Sequence, residues 1–229
     1  EYFGGSGVYG YSSDTDADRS VFFCRAVLEM LDKIGFSPDI IHANDWQTAL
    51  IPVLLKAQYP EKNIKTLLTI HNLKYQGIFE TGKIKYLTGL PDSFFTVHAL
   101  EFYGGANLLK GGIVFSDRVN TVSPTYAKET LTPEYGEGQE GVLRGRGADY
   151  SGIQNGLDYT VSNPETDRDI EFNFSADKPE GKALCKRALC SELELDAQNI
   201  PVVAMISRLV DQKGFDILCE CIEGLLSGG

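Results

Sequence analysis

The sequence predicts an α/β protein whose parallel sheet carries helices on both faces. Three observations predict it. Short apolar, β-rich runs alternate with amphipathic helical stretches along most of the chain. The runs read as apolar on both faces, as strands buried beneath helices do. Polar residues gather just after the runs, where open parallel sheets bind their ligands.

The elements follow in order. A first helix over 18–33 sets Val21, Phe22, Arg25, Val27, Leu28 and Leu31 near helical spacing. "PDIIHAND" is a strand leading into one helix, "WQTALIPVLLKAQ", with Asn44 or Asp45 as its cap. "IKTLLTIHN" is a second strand, and a glycine-bearing loop follows it. "SDRVNTVS" is a third, leading into "PTYAKETL", where Ser123 is the N-cap and Pro124 takes the first helical position. "SGI" precedes Asn155. From Asp158 to Glu180 the chain holds seven acids against two bases, with two prolines, and reads as an exposed connection. "GKALCKRALCSELEL" is a helix from Gly181 to about Leu193. A last buried strand, Val202–Ile206, leads through a short loop into "GFDILCECIEGLL". A lone parallel strand cannot form a sheet by itself.

Composition narrows the function. The 229 residues suffice for one large α/β domain or two small ones, and the formal net charge is −11. Such a field repels polyanions, which argues against nucleic acid and acidic membranes as partners. Screening over about 8 Å still lets two local cations hold a small anion. Five cysteines without a CxxC pair suit reduced thiols in a cytosolic protein better than a metal or disulfide framework. No apolar run reaches the ~20 residues of a membrane span. The opening "EYFGGSGVYGYSSD" has neither the basic start nor the apolar stretch of a signal peptide.

One motif misleads. "GSGVYG", Gly5 to Gly10, matches G-x-G-x-x-G but lacks the preceding strand and the following helix that would make it a dinucleotide site. The strand-end polars carry more weight: His42 and Asp45, His71 and Asn72, Asn155 and Asp158, and Arg208. Singly, Asp45 serves as well as a cap, His71 as a core histidine and Asn155-Gly156 as a turn; their meaning lies in sharing one edge. Arg208 ends the last strand and Lys213 stands before the last helix, with Gly214 between. A guanidinium fork, an ammonium and a helix N-terminus together suit a pyrophosphate, although a solvated loop with two surface cations has the same spacing.

"IIHANDWQTALIPVLLK", "TIHNLKYQGIF", "LLKGGIVFSDRVNTVSPTYAKE", "GIQNGLD" and "ISRLVDQKGFDIL" together resemble bacterial glycogen synthase and plant starch synthase over essentially the whole chain. That resemblance implies two Rossmann-like domains of the GT-B type. It also implies transfer of glucose from ADP-glucose to the 4-hydroxyl of an α-1,4-glucan with retention, without a further cofactor or metal. By the resemblance, Arg208 and Lys213 hold the donor pyrophosphate, and His71 and Asn72 line the donor-glucose site. Asp45 sits near the transferred sugar or the acceptor, Tyr9 matches a tyrosine at the cleft, and Asn155 lies at the domain crossing. The implied compartment is the bacterial cytoplasm or, in a plant, the plastid stroma.

The family's K-x-G-G loop and second-domain glutamate have no counterpart in this sequence. The chain therefore resembles a central piece, expected to be inactive alone. The expected layout is 1–158 as a first domain without its opening strands, 159–180 as an acidic connection, and 181–229 as a second domain only begun. Two other functions fit the same residues: a related transferase using another nucleotide sugar, and a non-catalytic glucan-binding piece.

Overall fold

The computed structural model describes residues 13–197 and 199–227. Tyr9 and the Gly5–Gly10 motif lie outside them. The chain divides into two units, residues 1–155 and 156–229.

In the first unit, α1 (Ser13–Lys33) buries Ala17, Val21, Cys24, Leu28 and Leu31, alternately four and three residues apart. Phe22 and Arg25, expected on that face, lie off the seam and are exposed. β1 (Ile40–Asn44) runs into α2 (Asp45–Thr48) and α3 (Leu50–Gln58). The single helix expected here breaks at Ala49, because Pro52 has no N–H to give the Thr48 carbonyl; a fresh start at Leu50 puts the proline in a first turn that needs none.

β2 (Lys65–Ile70), β3 (Ile78–Phe79), α4 (Thr81–Thr88), β4 (Glu101–Phe102), β5 (Gly105–Asn107) and α5 (Leu108–Phe115) follow. β6 (Arg118–Thr121), α6 (Pro124–Glu129), α7 (Glu140–Gly145) and β7 (Tyr150–Gly152) close the unit. Ser123 caps α6 as expected, its hydroxyl accepting the Thr125 and Tyr126 N–H groups.

The main sheet has the order β1-β2-β6-β7, with every pair parallel. One face packs Leu68, Ile70 and Val119 into the core. Gly112 of α5 comes so close that a Cβ there would lie 2.7 Å from the Ala49 Cβ and 3.0 Å from Leu68 Cδ2. Side chains alternate across a strand, so Thr69 faces the other way. There a polar line crosses three strands: His42 Nε2 meets Thr69 Oγ1 at 2.6 Å, and that hydroxyl donates to Asn120 Oδ1 at 2.5 Å. The all-apolar reading of the strands therefore holds for the core face and not for this line.

A second sheet, antiparallel with the order β3-β5-β4, was not foreseen. Its strands are two or three residues long, too short for an alternation signal.

The second unit contains turns over 156–179, α8 (Glu180–Glu192) and α9 (Phe215–Ser227). Val202–Ile206 is not a strand, correcting the sequence reading, and Ile206 is 97% exposed. A parallel strand needs a neighbour, and none pairs with it among the described residues. All five cysteines are free thiols. Among the described residues, no helix is long and apolar enough to cross a membrane, and no group of three or more His, Cys, Asp and Glu could hold a metal ion.

Candidate functional site

Because β1, β2, β6 and β7 are parallel, their carboxyl ends share one edge. At the end of β1 the chain turns sharply. Asp45 takes a left-handed backbone, φ 55°, a conformation that costs an ordinary residue about 1–2 kcal/mol. The Thr48 hydroxyl pins the turn, accepting the Asn44 N–H at 2.6 Å and donating to the Asn44 carbonyl at 2.7 Å. Neither Asn44 nor Asp45 caps a helix through its side chain; both turn towards the end of β2.

There the Asp45 Oδ1 accepts the backbone N–H of His71 at 2.7 Å, and Asn44 Oδ1 meets His71 Nε2 at 3.0 Å. An amide oxygen only accepts, so Nε2 carries a hydrogen, and whenever the ring is neutral its lone pair lies on Nδ1. Asn72 Oδ1 accepts the Lys74 N–H at 3.1 Å, turning the loop. Asp45 Oδ2 and His71 Nδ1 have no protein partner among the described residues. A carboxylate oxygen and a ring nitrogen at one strand edge suit the hydroxyls of a sugar.

The sequence reading missed Asn44 as a ligand-side residue, and missed Tyr126 altogether. The Tyr126 hydroxyl accepts the Leu73 N–H at 3.2 Å, tying α6 to the loop after β2. Burial pushes its pKa up, and the carboxylates of Glu137, Glu129 and Asp45 add to this, so the phenol stays protonated. "SPTYAKE" offers only a helix start to a local reading.

The remaining expected residues fall as follows. His42 lies inside β1, bonded to Thr69, and is not a strand-end residue. Asn155 is exposed beyond β7, the last residue of the first unit. Asp158 opens a turn in the second unit, where its carboxylate accepts the Thr160 N–H and hydroxyl, which hold its pKa down. Arg208 and Lys213 are both exposed in the second unit. Lys213 ends the turn Asp211–Lys213, and Gly214, at φ 71°, closes that turn just before α9. The structure thus gathers Asp45, His71 and Asn72 in the first unit and sets the two cations in the second.

Comparisons with known proteins bear on the fold and the family. The profile of the starch synthase catalytic domain matches residues 1–145. Glycogen synthase of Fervidobacterium nodosum is 49% identical over 226 residues, covering 97% of this chain and 46% of the relative. That of Moorella thermoacetica is 47% identical, covering 99% and 47%. Among solved structures, the catalytic domain of starch synthase IV from Arabidopsis thaliana, bound to ADP and acarbose, matches with a TM-score of 0.90 and 35% identity, covering 99% of this chain and 47% of that one. The chain spans about half the length of the curated relatives it matches.

Proposed function

This chain belongs to the starch synthase catalytic-domain family, and we propose that the enzyme it forms part of is a glycogen or starch synthase. It moves glucose from ADP-glucose to the 4-hydroxyl at the non-reducing end of an α-1,4-glucan, with the configuration retained. ADP-glucose is a substrate, and no further cofactor or metal takes part. The solved Arabidopsis relative binds ADP and acarbose, and we carry both to this chain, the first for the leaving group and the second for the glucan. The charge of −11 speaks against nucleic acid and acidic membranes as partners. The bacterial relatives favour a cytoplasmic setting, with the plastid stroma its counterpart in a plant.

The observation that carries this reading is the pair of hydrogen bonds fixing His71 to Asp45 and Asn44, because it leaves Asp45 Oδ2 and His71 Nδ1 for sugar hydroxyls. His71 and Asn72 line the donor glucose. Asp45 faces the transferred sugar or the acceptor, and Asn155 serves the crossing between domains. Tyr9 contributes at the cleft. Arg208 and Lys213 bind the pyrophosphate.

Breaking the bond from the sugar carbon to the phosphate oxygen builds an oxocarbenium-like sugar and an anionic diphosphate. Fixed cations act more strongly on that separated charge than on the ground state. The departing phosphate oxygen takes the proton of the acceptor hydroxyl as the new glycosidic bond forms on the same face. The acceptor thus supplies both the proton and the electron pair, so no second carboxylate of the hydrolase kind is needed.

The test uses the full-length enzyme with glycogen and either ADP-glucose or UDP-glucose. Transfer from ADP-glucose supports the reading, with Arg208→Ala slower by about 100-fold or more. No transfer from ADP-glucose, or an Arg208→Ala rate near that of the wild type, overturns it.

A further inference from the structure

Beneath the loop that carries His71 and Asn72 lies a cluster of three amide side chains. Asn107 and Gln139 are 0% exposed and Gln76 is 7%. Gln76 Oε1 accepts from Asn107 Nδ2 at 2.5 Å and from Gln139 Nε2 at 2.7 Å, while Gln76 Nε2 donates to the Glu137 carbonyl at 2.8 Å. These bonds leave Gln76 one orientation. Its own carbonyl accepts the Leu109 N–H at 3.1 Å, and Asn107 Oδ1 caps α5 by accepting the Lys110 N–H at 2.9 Å. Gln76 therefore joins the loop to the start of α5 and to the turn at Glu137-Gly138, both of whose residues have left-handed backbones.

We propose that Gln76 is a positioning residue: through the buried Gln76–Asn107–Gln139 cluster it sets the loop that presents His71 and Asn72. The proposal rests on the glucosyl-transfer reading above. Buried amides are a poor way to gain stability, since apolar groups of the same shape fill a core with no polar groups to satisfy. What amides add is direction, because a satisfied polar network admits one arrangement. One atom falls outside it: Gln139 Oε1 is buried and unpartnered. A core selected for stability alone has no use for that acceptor. Asp45 and Asn44 hold the loop at His71 and Tyr126 holds it at Leu73, while beside Gln76 the Gly77 carbonyl accepts the Leu108 N–H at 3.0 Å. Gln76 holds the far side, five residues from the histidine. A displacement of about 1 Å at a reacting group costs on the order of 100-fold in rate.

The test compares the full-length wild-type enzyme with Gln76→Met and Gln139→Met. It measures amide hydrogen exchange over 71–77, kcat and KM for ADP-glucose, and the melting temperature. Gln76→Met should speed exchange over 71–77 and lower kcat about 10- to 100-fold, with KM changed less than about threefold. Gln139→Met, which removes one bond and the unpartnered oxygen together, should fall between the two with an unchanged melting temperature. If Gln76→Met does not fold, Gln139→Met decides alone. A kcat within about twofold of the wild type in the folded variants, or unchanged exchange over 71–77, overturns the proposal. Should the wild-type enzyme transfer no glucose, the functional reading fails, and exchange over 71–77 alone decides whether Gln76 positions the loop.

Discussion

The Asp45 carboxylate accepts the backbone N–H of His71 at 2.7 Å, and it does so from a left-handed residue, φ 55°. Strain of this kind persists where surrounding contacts over-determine it, and it clusters at functional sites. Here the Thr48 hydroxyl, the Asn44 amide and the His71 N–H all hold the turn. The result is an anion whose second oxygen stays open beside an imidazole whose tautomer is set.

Replacing Asp45 by Asn separates its two duties. Asparagine tolerates the left-handed backbone and still accepts the His71 N–H, but it brings no charge to the ligand. Losing a charged hydrogen bond is worth about 1.5–3 kcal/mol, or roughly 10- to 100-fold. Asp45→Asn in the full-length enzyme should lower kcat/KM by that factor with little change in melting temperature. Asp45→Ala should lower both. Steady-state kinetics and thermal melts check this, and an unimpaired Asp45→Asn enzyme would remove Asp45 from the site.

Tyr126→Phe keeps the ring and deletes the oxygen that accepts the Leu73 N–H. Leu73 is fully buried, so its N–H loses a partner at a cost of about 1–3 kcal/mol. In a unit of this size that lowers the melting temperature by about 2–4 °C per kcal/mol. The Leu73 amide should also exchange faster in deuterium, and a protected Leu73 amide in the variant would refute the tie between α6 and the loop.

Much of this was legible in the residues. The runs ending at His42–Asn44, Ile70 and Thr121 announce strands, and parallel pairing brings Asp45 and His71 to one edge. Ser123-Pro124 marks a helix start by local chemistry alone. The bonds from Asn44 to His71 and from Tyr126 to Leu73 join residues far apart in sequence, so no local pattern encodes them. The break at Ala49 depends on where Pro52 falls in a turn, a matter of one residue. The run Val202–Ile206 has strand composition but no strand beside it among the described residues, and composition cannot supply the partner.

Asp117 gives the first unit a dependence on acid. Its Oδ2 accepts both the Thr66 N–H and the Thr66 hydroxyl at 2.9 Å, and Lys65 stands 3.4 Å from Oδ1. Burial pushes its pKa up, but the Thr66 hydrogen bonds and the nearby Lys56 and Lys65 outweigh it and hold the carboxyl below its usual value. A depressed folded value stabilises the protein above the unfolded pKa of about 3.9, and the contribution is lost as pH falls through the folded value. Asp117→Asn should cost about 1–3 kcal/mol in urea denaturation at pH 7. The gap should shrink as the pH drops below about 4, whereas a gap that stays constant down to acid unfolding would rule out this linkage.

Gly77 closes the loop against Trp46. Its φ is +62°, and a Cβ there would lie 2.4 Å from Trp46 Cε3 and 2.8 Å from Cδ2. Both distances are impossible contacts, and they fall on a rigid ring that cannot yield like the end of a flexible chain. Gly77→Ala therefore combines a left-handed alanine, about 1–2 kcal/mol, with overpacking of about 1–3 kcal/mol. Trp46 directly follows Asp45, so the push lands on the residue next to the site. The chain has one tryptophan, and in the first unit it is buried, so fluorescence reads this contact directly. Gly77→Ala should shift the Trp46 emission to the red and destabilise the unit by about 2–5 kcal/mol. An unshifted spectrum with wild-type stability would mean that the loop does not rest on the indole, and the fixing of His71 would then depend on Asn44, Asp45, Tyr126 and Gln76.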